Sequence, residues 1–133
     1  MTSQSLAPPA SVIERPSPSH DARPEGQAID ILLLHYTGMK SAEAALARMC
    51  EAAARVSAHY CIDEGGQVAR LVPEARRAWH AGKAQWAGAA NINDRSLGIE
   101  LVNPGHAFGY RPFPKAQMAS LAALARDLVA RHA

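Results

Sequence analysis

The pattern of apolar and polar positions predicts a short series of strands along the chain. Residues 29–35 contain four consecutive large apolar side chains, which predicts a strand buried on both faces. Residues 56–63 alternate weakly, and residues 68–72 form the return strand of a hairpin after the turn EGGQ. Residues 96–102 predict a further strand.

Two stretches predict helices. Residues 41–56 place apolar side chains on one face, with Ser41 as N-cap and Glu43 in the first turn. Residues 114–133 form a second amphipathic stretch with Pro114 in its first turn. Strands and helices are mixed along the chain, so the sequence predicts the α/β (mixed α+β) class, with one central mixed β-sheet flanked by helices.

The N-terminal region is rich in proline, which excludes a regular helix or a central strand. We expect residues 1–15 to be a disordered leader and residues 16–133 to form one domain. The first twenty residues have neither a basic segment nor an apolar core, so they are not a signal peptide. The simplest expectation is a cytoplasmic protein; a periplasmic location would require a longer N-terminus.

Composition excludes several classes of protein. The chain has 133 residues, 48% hydrophobic and 20% charged, as in an ordinary soluble domain with one core. Its net charge is +2 and its basic residues are scattered, which argues against a nucleic-acid partner. No apolar stretch is long enough to span a membrane. Cys50 and Cys61 are too few and too widely separated for a disulfide scaffold, and we expect both to be small core side chains.

Two ionisable residues lie where apolar residues would be expected. His35 follows the apolar strand directly, and Glu100 lies inside the strand LGIELV. A histidine at a strand end can simply bond the backbone, and an edge strand with one solvated face would tolerate a glutamate. A buried carboxylate would instead need a partner or a function. Gly98 shares the face of Glu100 and leaves room for another group to approach.

A second pair of candidate residues, with weaker support for a function, lies on the predicted hairpin. His59 and Cys61 share one strand face and could ligate zinc, but no third ligand stands at motif spacing, and core packing is the simpler interpretation. The loop 73–96 is long enough to suggest a functional role, and it carries Trp79 and His80.

Several stretches taken together resemble a known family. In order along the chain they are SPSHDARP (17–24), IDILLLHYTGM (29–39), RVSAHYCIDEGGQVARLVPE (55–74), RAWHAG (77–82) and NDRSLGIELVN (93–103). In motif and spacing they resemble the zinc-dependent N-acetylmuramoyl-L-alanine amidases, which share their fold with peptidoglycan recognition proteins and phage T7 lysozyme.

The resemblance implies a role for each candidate residue. His35 matches a zinc ligand, and Glu100 matches the catalytic acid/base. Arg55 matches an arginine that faces the carboxylates of the peptide, and Trp79 and His80 lie in the segment that walls the substrate groove. The other zinc ligands are expected in a segment beyond Ala133.

The implied activity is hydrolysis of the amide between N-acetylmuramic acid and L-alanine, with Zn²⁺ as cofactor and peptidoglycan fragments or muropeptides as substrates. One alternative is a non-catalytic peptidoglycan-binding module, or an inactive fragment of such an amidase. Another is that His59 or His80 completes a metal site with His35 inside this chain.

Overall fold

The structure is a computed structural model that describes residues 12–81, 85–86, 89–109 and 111–133. Its strands and helices, in chain order, are β1 (Val12–Glu14), β2 (His20–Ala22), β3 (Ile31–Tyr36), α1 (Ala42–Met49), β4 (Tyr60–Ile62), β5 (Val68–Arg70), β6 (Arg76–Ala78), β7 (Gln85–Trp86), β8 (Ala89–Ala90), β9 (Ser96–Leu101) and α2 (Lys115–His132).

Five of these strands form one mixed sheet in the order β1-β5-β4-β9-β3. β9 runs parallel to both of its neighbours, β3 and β4, whereas β4 and β5 form the antiparallel hairpin. Two smaller ribbons, β2–β6 and β7–β8, lie outside this sheet. The predicted class, a central mixed sheet flanked by helices, is confirmed.

The two helices cover opposite faces of the sheet. Leu46 and Met49 of α1 pack in one apolar cluster with Cys61 of β4. Leu124 and Leu128 of α2 pack in a second cluster, which includes Ile62 and Ile99. The domain therefore has three layers, and each face of the sheet is paired with its own helix.

Strand β3 is not buried on both faces, so that prediction is wrong. Among the described strands β3 pairs with β9 alone, which places it at the edge of the sheet. Leu34 is 47% exposed and Tyr36 is 53% exposed, whereas Leu32 packs against the α2 cluster. A run of large apolar residues cannot by itself distinguish a central strand from an edge strand, because the neighbours come from distant parts of the chain.

The N-terminal prediction also needs a correction. Residues 12–14 form β1, which pairs in parallel with β5, so a disordered leader does not reach residue 15. Val12 and Ile13 are β-branched residues, which favour strands. Their backbone pairs with β5 at the far edge of the sheet, and this pairing offsets the conformational entropy lost when the segment becomes ordered. Residues 1–11 of the predicted leader lie outside the described residues.

The first helix is shorter than its apolar pattern predicted. Ser41 is the N-cap, as expected, and its side chain accepts a hydrogen bond from Ala44 N–H. The helix ends at Met49, and Ala52–Ala54 form a separate 3₁₀ turn. Arg55 then adopts a left-handed conformation with φ of 53°, which turns the chain toward β4.

Three further observations bear on the sequence predictions. Cys61 is buried in the apolar cluster beneath α1, as expected, whereas Cys50 is only partly buried against that cluster. The predicted loop 73–96 contains β6, which pairs with β2, and the short β7–β8 hairpin. Within the described ranges, no helix has both the length and the apolar character needed to cross a membrane.

Candidate active site

The candidate site lies where β9 meets β3, on the face of the sheet that α1 covers. β9 is a central strand, so an edge position does not explain the carboxylate of Glu100. In the register of the sheet, Glu100 lies between Cys61 of β4 and His35 of β3. Residues that pair across neighbouring strands share a face, so the two candidate residues lie side by side.

Glu100 has little contact with solvent. Burial raises the pKa of its carboxyl group from 4.5 to about 7. A group with a pKa near neutrality can both accept and donate a proton under physiological conditions. Among the carboxylates of the described residues, Glu100 is therefore the one best suited to acid/base chemistry at this cavity.

The ring of His35 is held by a second histidine. Its Nε2 lies 3.0 Å from Nδ1 of His80, within hydrogen-bond distance. Partial burial lowers the pKa of His35, so its neutral form is favoured. A neutral imidazole has one bare nitrogen, as a metal ligand requires.

His80 is fixed on several sides. Its Nε2 lies 2.9 Å from the Ser96 hydroxyl. Its backbone N–H donates to Oδ1 of Asn93, which also accepts from Ala81 N–H. Its ring lies over Gly98, where a Cβ would be only 2.5 Å from His80 Cγ. The open space predicted above Gly98 is therefore filled by an imidazole of the protein itself.

His59 is a structural residue, as its core interpretation predicted. It is fully buried; its Nδ1 accepts from Gly98 N–H, and its Nε2 donates to the carbonyl of Arg76. Both ring nitrogens are therefore used within the protein. Burial raises the pKa of the neighbouring Cys61 thiol to about 12, which disfavours the thiolate that a metal would need.

The five residues to which the family resemblance assigns a role all line one cavity of about 740 Å³. They are His35, Arg55, Trp79, His80 and Glu100. The guanidinium of Arg55 lies over the Trp79 ring, 5.0 Å from its centroid, which is a cation–π contact. Arg48, from the last turn of α1, also lines the cavity. The cavity thus places two guanidinium groups on the same side of the sheet as the carboxylate and the histidines.

The described residues do not complete a metal site. Within residues 12–81, 85–86, 89–109 and 111–133, no group of three or more His, Cys, Asp or Glu side chains is arranged to hold a metal ion. A catalytic zinc needs three protein ligands. The alternative in which His59 or His80 completes a site with His35 is wrong for this part of the chain: no such group of ligands is present, and the other ring nitrogens of these histidines bond Gly98, Arg76 and Ser96.

Several residues that build the site were not singled out from the sequence. Ser96 and Asn93 fix His80, as described above. Arg23 donates to the carbonyls of Glu74, Asn93, Asp94 and Ser96, and so joins its own segment to residue 74 and to residues 93–96. For Ser96 the sequence does contain one indication: alternate residues of a strand lie on the same face, so Ser96 is expected on the face that carries Gly98 and Glu100. The four carbonyl partners of Arg23 lie more than fifty residues away in the chain, so no local pattern indicates them.

Comparison with known proteins identifies the family. Residues 25–133 match the model of the N-acetylmuramoyl-L-alanine amidase family. The chain is 34% identical to the N-acetylmuramoyl-L-alanine amidase AmiD of Escherichia coli strain K12 over 137 residues, covering 91% of this chain and 49% of AmiD. It is 33% identical to the 1,6-anhydro-N-acetylmuramyl-L-alanine amidase AmpD of the same organism, covering 86% of this chain and 69% of AmpD.

Solved structures agree with these relatives. The complex of AmiD from E. coli with the substrate anhydro-N-acetylmuramic acid-L-Ala-D-gamma-Glu-L-Lys superimposes with a TM-score of 0.71 at 35% identity, covering 83% of this chain and 47% of the AmiD chain. The present chain thus spans about half the length of AmiD. The fold, the matched family model and the identity to both relatives lead to one conclusion: the chain belongs to the N-acetylmuramoyl-L-alanine amidase family.

Proposed function

We propose that this chain hydrolyses the amide between N-acetylmuramic acid and L-alanine in peptidoglycan fragments. The observation that carries the proposal is the position of Glu100, a partly buried carboxylate beside His35 on the floor of a 740 Å³ cavity. Family membership supplies the reaction class, and the cavity supplies a carboxylate with a pKa near 7 at the place where the reaction would occur.

Glu100 acts as the general base and then as the general acid. In its ionised form it takes a proton from the attacking water, and the resulting hydroxide adds to the carbonyl carbon of the scissile amide. The protonated Glu100 then returns the proton to the nitrogen of L-alanine as the C–N bond breaks. Burial raises the pKa of Glu100 to about 7, so that both its ionised and its protonated forms are accessible at neutral pH.

Arg55 and Arg48 bind the carboxylates of the stem peptide. The tripeptide in the AmiD complex contains a γ-linked glutamate, whose α-carboxylate is not used in the peptide chain. Guanidinium groups bind carboxylates in a bidentate manner, and both arginines line the cavity. Trp79 holds the Arg55 guanidinium in place and forms part of the cavity wall.

We include Zn²⁺ in the proposal, with His35 as one of its ligands. The support is the match of the HYTG segment to the family pattern and a neutral His35 imidazole at the cavity. When bound, zinc would supply a Lewis acid for the scissile carbonyl. Elemental analysis of the dialysed wild type and of His35→Ala tests this part: a lower zinc content in the variant supports it, and an equal, near-stoichiometric zinc content in both contradicts it.

The decisive experiment replaces the carboxylate of Glu100 with an amide. We expect Glu100→Gln to reduce the hydrolysis of anhydro-N-acetylmuramyl-L-Ala-D-γ-Glu-L-Lys by roughly 10²–10⁴-fold, because the amide cannot accept a proton from water. Affinity for the same compound, measured by calorimetry, should change little. Glu25→Gln is the matched control, since Glu25 is exposed and outside the cavity. Retention of most of the activity in Glu100→Gln contradicts the proposed role.

The incomplete metal-ligand set among the described residues favours one other function, a non-catalytic peptidoglycan-binding module. The same experiment separates the two. A binding module would bind the muropeptide without releasing any peptide from it, in the wild type as well as in the variant. An amidase would release the peptide in the wild type alone.

A further inference from the structure

We infer that Asp21 is a positioning residue: its carboxylate holds the indole ring of Trp79, and through that ring it holds the guanidinium of Arg55 at the cavity. Asp21 lies on β2 and does not itself line the cavity, whereas Trp79 and Arg55 both do. The positions of these two side chains are independent of any substrate. Their effect on the affinity for a stem peptide rests on the proposed function.

The carboxylate of Asp21 binds two side chains at once. Nε1–H of Trp79 donates to its Oδ1 at 3.2 Å. Arg77 donates to both oxygens, with its Nε 2.8 Å from Oδ1 and its Nη2 2.9 Å from Oδ2. Because a bidentate pair fixes both oxygens of a carboxylate, Asp21 accepts the indole proton in a defined orientation.

The guanidinium of Arg77 is itself held from two directions. Its Nη1 lies 2.8 Å from Oδ1 of Asp94, on the side away from Asp21. Arg77 also lies directly opposite Asp21 in the antiparallel β2–β6 ribbon, so the two side chains share one face. Trp79 comes two residues after Arg77, and the alternation of an extended chain brings it to the same face. The ribbon outside the main sheet therefore delivers a fixed carboxylate to the indole.

The backbone of Trp79 is anchored separately from its ring. Its N–H donates to Oγ of Ser57, and its carbonyl accepts from Ser57 N–H, each at 3.0 Å. These bonds fix where the side chain begins but do not select its χ1 and χ2 angles. The bond to Asp21 restricts both angles, because Nε1–H is the one polar group of an indole.

The guanidinium of Arg55 uses the face of this ring as its support. Its Cζ lies 5.0 Å from the centroid of the Trp79 ring. Among the described residues, no carboxylate lies within ion-pair distance of Arg55, so the charge remains available to a ligand of the cavity. If the ring rotated, the guanidinium would lose its support, and a bound carboxylate would have to order it at an entropic cost.

The first test is a ¹H–¹⁵N correlation spectrum of the full chain without substrate, which follows Nε1–H of Trp79 and Nε–H of Arg55. The chain has two tryptophans, and Trp79→Phe assigns the indole signal. In Asp21→Ala we expect the indole proton to exchange with solvent at least about tenfold faster, because it loses a hydrogen bond to a charged group. The ring-current shift of the Arg55 signal should decrease in the same variant.

A second variant and a control accompany this measurement. Asp21→Asn keeps an oxygen acceptor but not its charge, so its indole proton should exchange at a rate between those of wild type and Asp21→Ala. Asp30→Asn is the matched control, because Asp30 forms a similar bidentate pair with Arg95 and does not line the cavity. It should leave both signals unchanged. Indole exchange and Arg55 shift that equal those of wild type in both Asp21 variants overturn the inference.

The second test measures the affinity for anhydro-N-acetylmuramyl-L-Ala-D-γ-Glu-L-Lys by calorimetry, in the Glu100→Gln background so that the compound is not consumed. We expect Asp21→Ala to weaken binding roughly 2- to 30-fold, the range expected for one oriented cation–π contact. Added to Trp79→Phe, Asp21→Ala should cause little further loss.

The two tests separate this inference from the proposed function. If Glu100→Gln alone does not bind the compound, the proposed function fails, and the spectra still decide whether Asp21 positions Trp79 and Arg55. If it binds, an affinity unchanged by Asp21→Ala overturns the inference. So does an equal loss with and without Trp79→Phe, because Asp21 would then act by a route other than the indole.

Discussion

Three alternate residues of β9 each meet a different requirement of the cavity. Ser96 bonds His80, Gly98 leaves space for the His80 ring, and Glu100 supplies the carboxylate beside His35. Alternate residues of a strand share one face, so a five-residue segment delivers all three groups to the same surface. The intervening residues, Leu97 and Ile99, enter the core beneath α2. The short sequence SLGIE therefore combines a buried face and a polar face.

The space above Gly98 leads to a prediction at this scale. A methyl group in Gly98→Ala would lie 2.5 Å from His80 Cγ, so the His80 ring or the strand must move. We expect a loss of about 1–3 kcal/mol in the free energy of unfolding, as for other overpacked sites, and at least tenfold slower hydrolysis. Urea denaturation and the muropeptide assay measure the two effects.

Gly65→Ala is the control for that variant. A Cβ at Gly65 would meet Asp63 Oδ1 at 3.4 Å, an ordinary contact in a surface turn. Gly65→Ala should therefore leave both the free energy of unfolding and the rate of hydrolysis close to their wild-type values. Wild-type stability and activity in Gly98→Ala would show that the His80 ring is not confined by β9.

At the scale of an element, α2 is joined to the sheet by a buried polar residue. Gln117 is fully buried in its first turns, and its Nε2 donates to the carbonyls of Ile62 and Val102. These carbonyls lie at the C-terminal ends of β4 and β9, and the Gln117 amide of the helix donates a hydrogen bond to each of them. The amide thus sets where the helix starts along the sheet, a choice that the apolar contacts of Leu124 and Leu128 do not make.

Removal of the Gln117 amide should therefore lower the stability of the folded chain. Gln117→Met has a similar shape but no donor, and it leaves two buried carbonyls without this partner. We expect the free energy of unfolding to fall by about 1–3 kcal/mol, because the Val102 carbonyl loses its donor whereas the Ile62 carbonyl still accepts from Val102 N–H. Chemical denaturation gives the value, with Arg126→Met on the exposed side of the same helix as control. Equal stability of Gln117→Met and wild type would mean that the two bonds contribute nothing net.

At the scale of the whole molecule, Glu74 joins the C-terminal end of α2 to the sheet. Arg131 and His132 of the helix both bond its carboxylate, and Tyr60 of β4 donates its hydroxyl proton to the same group. Burial alone would raise the pKa of Glu74, but the hydrogen bonds from Arg131, His132 and Tyr60 outweigh it and lower the pKa from 4.5 to about 2.

The lowered pKa predicts a loss of stability in acid. Glu74 has a lower pKa in the folded than in the unfolded chain, so its contribution is fully present above pH 4.5 and is lost as the pH falls toward 2. We expect this loss to be roughly 2–3 kcal/mol in the free energy of unfolding. Glu74→Gln should be less stable than wild type at pH 6, and the difference should shrink toward pH 2.

Denaturation curves at several pH values measure this prediction. Glu51→Gln, at an exposed position, is the control and should follow the wild type throughout. A constant difference between Glu74→Gln and wild type from pH 6 to pH 2 would show that the Glu74 carboxylate is not ionised preferentially in the folded state.

The sequence by itself determined the fold class, the N-cap of α1, the hairpin and the strand that carries Glu100, because each depends on local periodicity or on a local turn. It also singled out His35 and Glu100, since an ionisable residue within or directly after an apolar run is conspicuous without any partner. The family resemblance added the roles of both residues.

Tertiary structure alone decided which strands are central and which residues meet. The edge position of β3 follows from the parallel pairing of segments about sixty-five residues apart, which periodicity does not encode. The same pairing brings His35 beside Glu100 and places His80, from a separate segment, between Ser96 and His35. Hydrogen bonds and pKa values depend on distances across such pairings, and so the chemistry of the site was set by contacts between segments that are remote in the chain.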